Sequence, residues 1–188
     1  MNMDRLVIKQ ILGNEQVTQY YVVSLIGKTL VLLIAPINTI VISYLTKRKE
    51  RLTRSQFGKA VLAGGGVSLV FFVACQIGTP LFVWLFYRNL YESVKGIVTV
   101  VNLAQILGLF SAFLFILVLT FTDERWQLWI QLTHFCILLV SSVLAARTYG
   151  MMGFAVASLG ANSLRVAAVV ILGIVKAGKD KGDRNADR

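Results

Sequence analysis

Two cations interrupt long apolar stretches of this sequence: Lys28 within LIGKTLVLLIAP and Arg165 within LGANSLRVAAVV. A charge among apolar side chains is costly, and it is retained where it meets a cavity or a partner. At 3.6 residues per turn, Lys28 shares a narrow stripe with Ser24, Ala35 and Thr39, and Arg165 has Asn162 and Ser158 one and two turns before it. Either stripe can line an aqueous cavity that receives an anionic group, so Lys28, Arg165 and Asn162 are the candidate substrate-binding residues. In the competing reading, Lys28 snorkels outward along its four-carbon stem and Arg165 bonds backbone carbonyls of a neighbouring helix.

The other polar residues in apolar surroundings point to packing. Asn102, Gln105, Gly108 and Ser111 form a polar and small stripe suited to contact between helices. Gly153, Ala157 and Ala161 repeat small residues at four-residue spacing, which lets two helices approach closely. His134 is the only histidine; with no acid near it on its own helix, it reads as a hydrogen-bonded structural residue before it reads as a proton relay. Cys75 and Cys136 lack metal-ligand spacing and are expected to be small buried side chains. There is no phosphate-cradling glycine loop, no metal cluster, and no nucleophile with a base at helical spacing. Asp123 and Glu124 are adjacent but belong to a tight turn. The expectation is a protein that is not an enzyme and carries neither cofactor nor metal.

What must position these residues is a set of membrane helices. Of 188 residues, 56% are hydrophobic and 15% charged, and the mean hydropathy is +0.71. A soluble domain of this length needs far more polar surface. The formal net charge of +10 resides mainly in segments between apolar spans, which is what membrane orientation requires, and it argues against a nucleic-acid partner. Hydropathy predicts an all-α transmembrane protein with five spans, at Tyr20–Leu45, Phe57–Tyr87, Gly96–Thr122, Trp126–Arg147 and Gly150–Lys176. The second is long enough to need tilt or a break, for which Gly64-Gly65-Gly66 and Gly78-Thr79-Pro80 are candidates. Pro36 is expected to kink the first. RNLYESVK reads as a short loop, and residues 177–188 as a disordered tail after a membrane domain of residues 1–176. Residues 1–19 hold an apolar group too short to span, bounded by Gly13-Asn14, which reads as an interfacial helix or as the last turns of a longer element.

The run TKRKERLTRSQFGK is the densest in positive charge, and placing it in the cytoplasm sets the orientation. Twelve cations then face inward against five outward, with the amino terminus outside and the carboxyl terminus inside. This loop attracts anionic lipid headgroups whatever the protein does. Tyr20, Tyr21, Trp84, Tyr87, Tyr91 and Tyr149 are expected near the outer face, and Tyr44, Trp126 and Trp129 near the inner one.

Four segments together resemble a known family. MDRLVIKQILGNEQVTQYYVVS is similar to the start of the carboxyl-terminal half of polysaccharide flippases, where an Asp-containing helix end leads through a short Gly loop into a span beginning near a Tyr. LLIAPINTIVISYLTKRKE resembles their Pro-containing helix that ends at a basic loop, and LFVWLFYRNLYESVKGIVTVVNLAQ resembles the stretch where an apolar helix ends before a Tyr-Glu element and a new helix. VSSVLAARTYGMMGFAVASLGANSLRVAAVVILG is similar to the last helix pair, in which Tyr-Gly-x-x-Gly precedes a helix of small residues and one Arg. The family is the polysaccharide (O-antigen type) branch of the multidrug/oligosaccharidyl-lipid/polysaccharide flippases.

The resemblance implies a five-helix bundle corresponding to the last helices of a two-bundle, alternating-access transporter of the bacterial inner membrane. The implied substrate is a polyprenyl-diphosphate-linked polysaccharide unit, with Lys28 and Arg165 as cavity cations. It also implies a missing amino-terminal helical bundle as partner, so the chain is expected to be a fragment, inactive alone. Two other readings compete: a small non-transporting membrane protein that packs against a partner, and an exporter of small cationic compounds. The last would favour intramembrane acids, and no Asp or Glu lies within an expected span.

Overall fold

The computed structural model describes residues 3–47 and 53–177. Among them the chain is entirely helical: α1 (Met3–Leu12), α2 (Asn14–Lys47), α3 (Arg54–Phe86), α4 (Arg88–Val94), α5 (Val98–Leu119), α6 (124–149) and α7 (151–177). Three helical stretches are long and apolar enough to cross a membrane: Arg54–Phe86, Val98–Leu119 and Arg125–Ala177. This is the architecture of a multi-pass helical membrane protein. The outward face of α3 bears it out, since Leu62 is 78% exposed and Val70 68%; so large an apolar surface is stable against lipid and not against water. Residues 48–52 of the expected basic loop and the tail beyond Ala177 lie outside the described residues.

Local chemistry explains the boundaries. Gly13, at φ 92, closes α1 by donating its N–H to Lys9 O, and α2 starts at once, well before the expected Tyr20. Thr53 and Gln56 form a capping box, the Thr53 hydroxyl accepting from Gln56 N and the Gln56 carbonyl from Thr53 N, so α3 starts before Phe57. The helix then runs unbroken through both candidate break points. Gly64 serves packing, since it accepts the Phe113 and Phe110 rings of α5 where a Cβ would crowd them. The segment expected as a loop, RNLYESVK, is instead the short helix α4, anchored by fully buried Val94.

The fourth and fifth expected spans form one helical run that turns back on itself at Gly150, whose φ of 61 and ψ of −143 are open only to glycine. Gly153 completes this corner, since a Cβ there would collide with the Ala145 carbonyl of α6. The Tyr-Gly-x-x-Gly element thus has a physical role: one glycine turns the backbone and the other lets the helices close.

α5 is the central helix, in contact with α2, α3 and the α6–α7 pair. Two apolar cores clamp its ends. One gathers Ile8, Tyr20, Val23, Val83, Val94, Val98 and Phe154; the other gathers Phe57, Leu114, Leu117, Val118 and Val169. The long helices therefore alternate in direction, and α1 caps one end. Tyr20, expected at the interface, is only 6% exposed and packs edge-on against Phe154 with ring centroids 5.3 Å apart. Trp84, Trp126, Trp129 and Tyr149 remain exposed at helix ends.

Candidate functional site: a polar-floored cavity

Between the two apolar cores lies a cavity of about 640 Å³, within the range of roughly 300–1,000 Å³ common to small-molecule sites. One wall comes from α6, where Leu128, Leu132, Phe135, Leu139 and Ser142 recur at helical spacing. The facing stripe of α7 supplies Phe154, Ser158, Asn162 and Arg165. Ala104 and Gln105 of α5 form the floor, and Asp4, Val7 and Tyr20 close one end. The α6 wall is apolar at its lip, with Leu128 67% exposed, and the polar lining comes from α5 (Gln105), α6 (Gln131, His134 and Ser142) and α7 (Ser158, Asn162 and Arg165).

Asn162 organises the floor. Its Nδ2 donates to Ala104 O at 2.8 Å, which ties α7 to α5 and turns its Oδ1 toward His134 Nε2, 3.2 Å away. An amide oxygen only accepts, so with the amide in this orientation Nε2 is the protonated ring nitrogen, and in the neutral imidazole Nδ1 is an acceptor. His134 is thus hydrogen-bonded, as expected from its isolation in sequence, and it also lines the cavity. Gly108 makes room for this arrangement, as a Cβ there would press on Asn162 at 3.3 Å.

Arg165 lines the cavity with its guanidinium 5.5 Å from the centre of the Phe115 ring and its buried Nε without a hydrogen-bond partner. The alternative of bonding to backbone carbonyls is not what the described residues do. Gln105 lies against the α2 backbone at Gly27, and neither its amide oxygen nor its nitrogen is paired. Ser142 is 2% exposed, and its hydroxyl is likewise unpaired.

The sequence candidates separate here. Asn162 and Arg165 come together in the cavity; Lys28 does not line it. Lys28 Nζ is 2.6 Å from Asp4 Oδ2 and 5.7 Å from the centre of the Tyr20 ring, and through Asp4 it braces one end of the cavity. Ser24, on its stripe, donates to Tyr21 O, while the Ala35 side chain lies outside the described residues. The acid that partners Lys28 comes from α1, which is why a search for acids within spans does not find it.

The polar stripe on α5 also divides. Asn102, fully buried, donates to Cys75 O and Gln76 Oε1 at 3.1 Å each and accepts from Thr79, so it is a tie between α3 and α5. Ser111 bonds Gly108 O within its own helix. Gln105 alone of the stripe's hydrogen-bonding residues lines the cavity, with its amide packed against α2 at Gly27. Cys75 is buried as expected, but Cys136 is exposed, on the outward side of α6. Among the described residues no group of His, Cys, Asp and Glu is placed to hold a metal ion.

Comparison with family models, with curated proteins and with solved structures gives no match.

Proposed function

We propose that this chain contributes the carboxyl-terminal bundle of a flippase for polyprenyl-diphosphate-linked glycans of the bacterial inner membrane, with its amino terminus outside. The observation that carries this reading is the meeting in one cavity of Arg165 and Asn162 on α7 with a lip of Leu128, Leu132 and Phe135 on α6. An amphiphile fits such a site, its anionic group at the free guanidinium and its hydrocarbon along α6. A buried, incompletely paired Arg is costly in the absence of a ligand anion, and a diphosphate offers oxygens that a guanidinium can grip. The ordered resemblance of four segments to polysaccharide flippases supports the same substrate, and the Tyr-Gly-x-x-Gly corner acquires a structural reason. The complete transport cavity is formed with an amino-terminal helical bundle, so this chain binds the lipid but does not flip it alone.

The test is binding of polyprenyl diphosphate and of the matching polyprenyl alcohol to the purified chain in detergent, followed by thermal shift. The diphosphate should raise Tm in the wild type and leave Arg165→Ala unchanged, and the alcohol should shift neither. Equal shifts from both lipids, or a diphosphate shift that survives in Arg165→Ala, overturn the reading. They leave a membrane protein that packs against a partner and transports nothing.

A further inference from the structure

His134 and Arg165 share one stretch of the cavity wall. Asn162 accepts the His134 hydrogen bond, and Arg165 follows one turn along α7, a spacing that sets Cβ atoms about 5–6 Å apart. The His134 ring lines the cavity with Nε2 committed to Asn162 Oδ1. Among the described residues Nδ1 has no hydrogen-bond partner, and it is not sealed from solvent as Arg165 Nε is. The open nitrogen of this wall is therefore a lone pair when the ring is neutral.

A lone pair is the wrong group to set beside an anion, since the oxygens of a doubly esterified diphosphate have no hydrogen to give. One proton corrects this. The imidazolium keeps its Nε2–H on Asn162 and gains an Nδ1–H that can donate to the same anion as Arg165. In an empty cavity that proton meets the Arg165 charge and the two repel; an anion between them turns the repulsion into two attractions. Proton and anion thus strengthen each other's binding by the same factor. No other lining group near the ring titrates: α5 contributes Ala104 and Gln105, and α6 itself Gln131 and Ser142. Tyr20 and Asp4, with its partner Lys28, close the far end at the level of Phe154, about 12 Å along α7 from Asn162.

We propose that His134 is a proton switch for the anion position: binding of the anion at Arg165 takes up a proton on His134, so the cavity grips at low pH and releases at high pH. The assignment rests on the cavity holding a diphosphate, and it adds what regulates that hold. Asn162 is the part that makes the switch directional, because its Oδ1 keeps Nε2 occupied in both protonation states and leaves Nδ1 as the nitrogen that changes from acceptor to donor.

His134 is the only histidine in the chain, so nitrogen-15 labelling of histidine places a reporter on this ring alone. The probe is polyprenyl diphosphate carrying one N-acetylhexosamine; its diphosphate is esterified at both ends and keeps a fixed charge across the range. The chain, purified in detergent through a tag without histidine, should show a neutral ring at about pH 7.5 without lipid and both ring nitrogens protonated with it. The dissociation constant should tighten by about tenfold from about pH 8 to about pH 6. His134→Gln keeps an amide donor for Asn162 and takes no proton, so its constant should stay at the wild-type high-pH value throughout. A ring whose protonation the bound lipid leaves unchanged overturns the switch while the anion site stands, and so does a pH dependence that persists in His134→Gln. If the lipid binds at no pH, the flippase reading fails, and inorganic sulfate, whose charge is also fixed, takes its place. Sulfate binding that protonates the ring retains the switch for another anion; no binding, or binding to a neutral ring, overturns it.

Discussion

Lys28 Nζ lies 2.6 Å from Asp4 Oδ2, and this pair ties α2 back to α1 across the turn at Gly13. The two side chains are 29% and 20% exposed, so the pair is sheltered more than a surface salt bridge and less than a fully buried one. Lys28→Met leaves the Asp4 carboxylate, whose Oδ1 already lacks a partner, without its cation. It should cost about 1–3 kcal/mol. The Asp4→Asn/Lys28→Met double variant should lose less than the sum of the single losses. Thermal unfolding in detergent, followed by tryptophan fluorescence, checks this; strictly additive losses would show that the two residues do not act as a pair.

Asn162 holds α7 to α5 by one bond and orients His134 by another. Asn162→Leu should therefore destabilise by about 1–2 kcal/mol, and His134→Phe, which loses only the second bond, by less than about 1 kcal/mol. The same unfolding measurement orders the two variants. A larger loss from His134→Phe would mean that the histidine, and not the Ala104 carbonyl, is the main anchor of the floor.

Asn102 is fully buried and has three hydrogen-bond partners on α3. Asn102→Ala removes all three and leaves a gap between α3 and α5, for an expected loss of about 2–4 kcal/mol. Gln76→Ala, which removes one of these bonds and the bond to Thr99, should cost about 1 kcal/mol or less. Retention of wild-type Tm by Asn102→Ala would show that apolar contacts alone hold α3 to α5.

The α6–α7 corner predicts a contrast among glycines. Gly150→Ala forces a side chain into a glycine-only conformation, at about 1–3 kcal/mol, and Gly153→Ala drives a Cβ into the Ala145 carbonyl. Gly160 is exposed, with open space where its Cβ would be, so Gly160→Ala should be neutral or stabilising by up to about 1 kcal/mol through helix propensity. Detergent-solubilised yield and Tm of the three variants report it. Equal behaviour of Gly153→Ala and Gly160→Ala would mean that the corner relaxes freely.

What the sequence determined by itself is what neighbouring residues decide together. Hydropathy over a window of helical length is a local sum, so the apolar stretches on α3, α5, α6 and α7 were legible from composition alone. So were the Gly13 and Gly150 turns, because few other residues tolerate their φ values. The capping box at Thr53 was equally local and moves the start of α3. The helical period also placed Asn162 and Arg165 on one face of α7.

Only the tertiary structure decided which faces meet. Lys28 carried two readings, a cavity cation and a snorkelling charge, because its partner, Asp4, sits on another helix and is invisible to any pattern within α2. Asn102 and Gln105, three residues apart on one stripe, part ways because α3 offers partners to the first and α2 offers only backbone at Gly27 to the second. Ser142 gave no signal at all, since a serine on an apolar helix ordinarily satisfies itself on its own backbone. A charge or an amide among apolar residues shows that a polar meeting place exists; the packing of α5 against α6 and α7 decides where it is and which side chains share it.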